Sequence, residues 1–103
     1  MNATVKILRD QRNTTSGKLA DAELHFSGGE LDGLKLIGFA VWSRQDGKRH
    51  VTFPARQFTV DGERRSFSLL RAVENPSAQE RLRDFVMQAY LAEVREIEDL
   101  ATS

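Results

Sequence analysis

Over the first 73 residues the apolar positions recur every second residue, which is the signature of strands. In "ATVKILR", residues 3–9, Val5 and Ile7 fall on one side and Lys6 on the other. In "KLADAELHF", residues 18–26, Ala20, Ala22, Leu24 and Phe26 alternate with Asp21, Glu23 and His25. Ala and Glu are weak strand formers, so a helix competes there; the unbroken alternation decides for a strand. "LKLIGFAVW", residues 34–42, is apolar on both sides: Leu34, Leu36, Ala40 and Trp42 on one, Ile37, Phe39 and Val41 on the other. A strand of that kind is central, with cover on both faces. Gly38 in its middle predicts a bulge or the close approach of another backbone.

Turn signals separate these runs. "DQRNTTSG", residues 10–17, is polar and reads as a mobile loop, and "SGGELDG", residues 27–33, turns the chain. Asp46-Gly47 and Asp61-Gly62 are two-residue hairpin signals. Between them Val51 and Phe53 keep one phase while Phe58 and Val60 keep the opposite one. The change requires a bulge or a break between Pro54 and Gln57, where a proline without an N–H belongs. That break aims Arg56 out of strand phase, beside the turn that carries Arg64 and Arg65. In "RRSFSLLRAV", residues 64–73, Phe67, Leu69 and Val73 face one way and Leu70 and Ala72 the other.

At Asn75 the period changes. Asn75 suits a helix N-cap and Pro76 the first helical position, where a missing N–H costs nothing. Leu82, Phe85, Val86, Ala89, Tyr90, Val94 and Ile97 then recur at spacings of three and four as one apolar stripe. A helix over about 76–100 would be about 40 Å long. Its end is crowded by Glu93, Glu96, Glu98 and Asp99, which oppose the helix dipole and favour fraying. The expected fold is α+β: a mostly antiparallel β-sheet of four to six strands over about 3–73 and one long C-terminal helix, in a single domain over 1–103.

One helix covers one face of a sheet, and the strand at 34–42 asks for cover on both. Exposing Ile37, Phe39 and Val41 would leave an apolar patch that soluble monomers seldom carry. The N-terminal loop or a curl of the sheet could cover it. A homodimer is the more economical expectation.

Composition narrows the function classes. The chain has 103 residues, no cysteine, and 15 basic against 15 acidic residues. Disulfides and thiolate metal sites are excluded, and a reducing, cytoplasmic setting is expected. No apolar run reaches the ~20 residues of a membrane span, and the N-terminus lacks the apolar core of a signal peptide. Zero net charge speaks against coating nucleic acid by bulk charge. The distribution is uneven, however. Residues 44–71 hold seven basic and three acidic groups, and residues 74–103 hold three and seven. Such asymmetry points to a charged partner.

No catalytic constellation is visible. His25 and His50 have no ligand-spaced neighbours, the serines sit in no nucleophile motif, and "GELDG" lacks the spacing and the lysine of a phosphate loop. The expectation is a protein that is not an enzyme, with no metal and no cofactor. The basic window is what remains: Arg44, Lys48 and Arg49 around the first Asp-Gly pair, Arg56 after the proline, Arg64 and Arg65 after the second, and Arg71. Lys and Arg in a row suit phosphates, and exposed rings stack on bases; Trp42, Phe53 and Phe58 are the candidates. As apolar strand residues those rings are expected mainly in the core. The alternative is a protein-interaction module, its basic hairpins docking an acidic partner and its acidic tail a basic one.

The order of signals resembles one family. "VKILR", "GKLADAEL", "LKLIGFAV", "VTFPAR", the "DG" turn and a closing helix with "LRDFVMQAY" together resemble the bacterial stage V sporulation protein G family (SpoVG, the septation regulators), over roughly residues 4–92. The resemblance implies a small dimer that binds DNA and RNA and regulates gene expression or cell division. It carries the family's basic contact to Arg56, which follows the matching Phe53, Pro54 and Ala55. It reaches Arg64 and Arg65 after the matching Asp61-Gly62, and Arg81 and Arg83 at the start of the helix.

Overall fold

The computed structural model describes residues 1–9 and 17–102, with side chains through residue 96. Residues 10–16, read above as a mobile loop, lie outside the described residues, as does the side chain of Ile97. Six antiparallel strands and one helix follow in order: β1 (Asn2–Arg9), β2 (Lys18–Ser27), β3 (Lys35–Ser43), β4 (Arg49–Thr52), β5 (Ala55–Val60), β6 (Glu63–Ser68) and α1 (Ser77–Thr102). A 3-10 turn at Gly29–Leu31 links β2 to β3. The class is α+β, as the periodicities predict.

The strands form two sheets rather than one. β1-β2-β3-β4 is a four-stranded meander, and β5-β6 is a separate two-stranded ribbon. The division falls at Phe53 and Pro54, between β4 and β5. The phase break therefore marks a change of sheet. Proline cannot donate to a ladder, so the chain leaves the meander there.

Cross-strand partners share a face. Val5 and Ile7 on β1 pair with Leu24 and Ala22, Ala20 and Ala22 with Val41 and Phe39, and Val41 with Val51. This face lies under α1. Its core is Ala20, Ala22, Leu24, Phe39, Val41, Val51, Val86 and Tyr90, flanked by Leu36, Phe53, Leu82, Met87, Leu91 and Val94. Phe39, Val41 and Val86 are the largest fully buried side chains. Burying a side chain of that size contributes ~1.5–3 kcal/mol.

The expected phase of β3 is corrected by a bulge. Ala22 pairs with Phe39 but Leu24 pairs with Leu36, so three steps on β3 oppose two on β2. The extra residue lies at Gly38, whose φ is +109°. The shift puts Leu36 on the same face as Phe39 and Val41 and turns Ile37 out, 59% exposed. Phe39 and Val41 are thus under the helix, and the open apolar patch expected from Ile37, Phe39 and Val41 does not exist. The other face carries Lys6 opposite Glu23, Leu8 opposite Asp21, and His25 opposite Lys35. On that face the exposed apolar side chains Leu8 and Ile37 stand among charged residues.

The helix starts as read: the Asn75 side-chain oxygen accepts from the Ser77 N–H at 3.0 Å. Its stripe is displaced from the expected one. Met87 and Leu91 pack on the core, whereas Phe85 is exposed. The Leu70–Ala72 link also differs from its neighbours: Leu70 and Ala72 are half-buried, and Leu69 and Val73 are exposed, the alternation the sequence predicts.

The β5–β6 ribbon stands apart. It is tied to the body by the Leu69 N–H to Pro54 carbonyl bond (2.9 Å) and by Pro54, buried against Gly38. The Cα radius of gyration is 15.6 Å, against about 13 Å for a compact chain of this length.

Candidate nucleic-acid interface

The ribbon's register follows from its turn. Val60 pairs with Glu63 across Asp61-Gly62, a two-residue loop in which both φ angles are positive (51° and 80°), as a type I′ turn requires. Phe58 therefore opposes Arg65, and Arg56 opposes Phe67. Side chains alternate along each strand, so Arg56, Phe58, Arg65 and Phe67 share one face as a checkerboard of two guanidiniums and two rings. Phe58 and Phe67 are 39% and 45% exposed. Placing Phe58 in the core is thus incorrect: β5 left the sheet that would have buried it.

Arg64 is not part of this face. It opposes Thr59 and shares the other side with Gln57, Ser66 and Ser68. Arg65 is held near Glu63 at 3.4 Å, and Arg71 lies 3.9 Å over the Phe67 ring while its Nε donates to the Ser68 carbonyl at 3.2 Å. An exposed ion pair of that length is worth at most ~1 kcal/mol, so Arg65 is readily recruited to a phosphate.

Arg44, Lys48 and Arg49 sit at the other basic locus, the β3–β4 loop. Here the expected two-residue turn is replaced by a three-residue one. The Arg44 N–H donates to Lys48 O (2.7 Å) and the Gly47 N–H to Arg44 O (3.0 Å). Gly47, at φ +83°, takes the left-handed position that closes a turn with an adjoining bulge. The Asp46 carboxylate accepts from the Lys48 N–H at 2.9 Å, fixing the loop rather than neutralising the lysine side chain. Arg49 points to the helix side, with its guanidinium 5.6 Å above the Tyr90 ring. Arg83 pairs with Glu80 and lies 4.8 Å over Phe53, and Arg81 is exposed.

Among the described residues, Arg44, Lys48, Arg56 and Arg64 form no ion pair. The structure joins Arg56 and Arg65 with the ribbon rings, and it leaves Arg44 beside the ribbon's opposite face. The seven candidates are therefore not one patch. Of the other candidate rings, Phe53 is packed edge-on to Phe39 (5.5 Å, 74°), and Trp42 is half-buried with its indole N–H donating to Thr52 Oγ at 2.8 Å. Among the described residues no group of three or more His, Asp or Glu side chains could hold a metal ion, and no helix is long and apolar enough to cross a membrane. The chain matches no family model, and no curated protein or solved structure is significantly similar to it.

Proposed function

We propose that this chain is a small homodimeric DNA- or RNA-binding regulatory protein of the cytoplasm, the role its resemblance to the SpoVG family implies. One observation carries the reading: a projecting ribbon presents Arg56 and Arg65 interleaved with the exposed rings of Phe58 and Phe67. Guanidiniums meet backbone phosphates, and rings stack on bases of any sequence. The ribbon is a binder's device, and no catalytic role is assigned to it. The dimer has its own support. A two-stranded ribbon is marginal in water by itself. This one also leaves Leu69 exposed just beyond its last paired residue, Ser68, and a second copy packed there would stabilise it.

Fluorescence anisotropy of a labelled single-stranded oligonucleotide at low salt tests the binding. Dissociation constants in the ~10⁻⁴ to 10⁻⁶ M range are expected, weakening steeply with salt. The absence of any binding below about 100 μM would falsify the reading.

A second reading is a protein-interaction module, favoured by the exposed Leu69 and Val73 together with Glu93 and Glu96 on the distal helix. A nuclease-resistant pull-down with no oligonucleotide response would select it.

A further inference from the structure

The polar side of the ribbon faces the free edge of the meander. Between them lies an open groove of about 650 Å³. β4 contributes His50, Val51 and Thr52; β6 contributes Ser66 and Ser68; Arg44 enters from the β3–β4 loop, and Gln79 and Arg83 from the start of α1. Among the described residues no carboxylate lines it. A balanced chain with 15 acidic residues has thus set two guanidiniums and an imidazole around one concavity without a counter-charge in its wall.

Its donors are already oriented. Thr52 Oγ accepts the Trp42 indole N–H at 2.8 Å, so its own hydroxyl proton is free to be donated elsewhere. The backbone adds another donor. The Arg44 N–H bonds to Lys48 O, and the antiparallel alternation from that pair directs His50 and Thr52 toward β3. Val51 therefore aims its N–H at the free edge, since β4 ends the sheet. Arg44 forms no ion pair among the described residues. Arg83 is shared with Glu80 and Phe53 and is the less available cation. Ser68 is committed, donating to the Leu70 carbonyl at 2.9 Å.

One further atom is unexplained by the fold. Among the described residues, His50 Nδ1 is the one buried side-chain nitrogen or oxygen without a hydrogen-bond partner. Orphaned buried polar atoms are rare in folded proteins. His50 lines this groove and two smaller concavities beside it. A half-turn of its ring exchanges Nδ1 with Cδ2 without moving the backbone.

We propose that this groove seats one phosphate group of a nucleotide, with Arg44 as the charge partner, the Thr52 hydroxyl and Val51 N–H as donors, and His50 as the group completed by the ligand. The proposal deepens the nucleic-acid reading and rests on it: a strand stacked on the checkerboard face would place a phosphate around the ribbon's edge. The shared chemistry is a phosphate ester, and a free mononucleotide is the alternative source.

The test is NMR of the full chain titrated with adenosine 5′-monophosphate and, separately, with a single-stranded DNA octamer. Both ligands are expected to shift the His50 ring signals and the Val51 amide. Thr52→Val lowers mononucleotide affinity at least fivefold, Thr52→Ser restores it, and Lys6→Gln on β1 leaves it unchanged. Arg44→Gln lowers it further. If the octamer binds while neither ligand moves His50 or Val51, the groove proposal is overturned and the nucleic-acid reading stands. If the mononucleotide binds there and the octamer binds nowhere, the groove stands as a free-nucleotide site and the nucleic-acid reading falls. If Thr52→Val and Thr52→Ser behave alike, the hydroxyl has no role and the seat as drawn is wrong.

Discussion

Pro54 lies against the backbone of Gly38: a Cβ built on Gly38 would stand 3.0 Å from the proline Cβ and 3.3 Å from its Cα. Two features read separately in the sequence, a strand glycine and a strand-breaking proline, are thus one joint. The bulge at Gly38 opens the space that Pro54 fills, and Pro54 starts the chain on its way to the ribbon.

Gly38→Ala is expected to be severely destabilising. The new methyl meets Pro54, and φ +109° is strained for any side chain. Overpacking and backbone strain together predict a loss of about 2–5 kcal/mol, read as the urea midpoint of unfolding. Adding Pro54→Gly removes the contacts with the proline Cβ and Cγ, while the Cα at 3.3 Å stays in place. Partial rescue is the expected outcome, and full rescue would show that backbone strain at residue 38 is negligible.

The checkerboard face should separate charge from stacking. Arg56→Gln and Arg65→Gln each weaken oligonucleotide binding and lower the slope of log affinity against log salt by about one. Phe58→Ala weakens binding by ~1–3 kcal/mol and leaves the salt slope unchanged. Equal salt slopes for all three variants would show that the ribbon does not contact phosphates.

Self-association should depend on the ribbon and not on the sheet. Sedimentation equilibrium is expected to show a dimer that Leu69→Glu converts to monomer, since Leu69 is 60% exposed on the ribbon's margin. Lys6→Glu, on the open polar face of the meander, leaves the dimer intact. A wild-type mass that stays monomeric at all concentrations removes the dimer.

Glu23 should set part of the acid limb of stability. Its carboxylate accepts from the His25 ring at 3.0 Å and lies 3.4 Å from Lys35 Nζ. The His25 hydrogen bond, and after it the Lys35 charge, hold its pKa below the ordinary glutamate value. A group depressed in the folded state stabilises it fully above the unfolded value near 4.3 and loses that contribution as pH falls through the depressed one. Melting temperature measured from pH 7 to pH 2.5 should therefore fall less steeply below about pH 4.3 in Glu23→Gln than in the wild-type chain.

Local physics made much of this legible from residues alone. Period-two alternation defined β1 and β2, the Asn75-Pro76 pair placed the start of α1, and the phase change at Pro54 marked a break. The Asp61-Gly62 turn even contained the checkerboard: a two-residue loop dictates Phe58 opposite Arg65 and Arg56 opposite Phe67. Only the tertiary structure showed that this pairing faces outward, because exposure depends on which sheet β5 joins. It likewise decided the phase of β3, where one residue inserted at Gly38 turned Ile37 out and kept Phe39 and Val41 under α1. The groove of Arg44, His50, Thr52 and Ser66 has no sequence signature, since it forms between two sheets that meet only in the folded chain. Periodicity reports what each segment buries; how separate segments meet is fixed by packing across the whole chain.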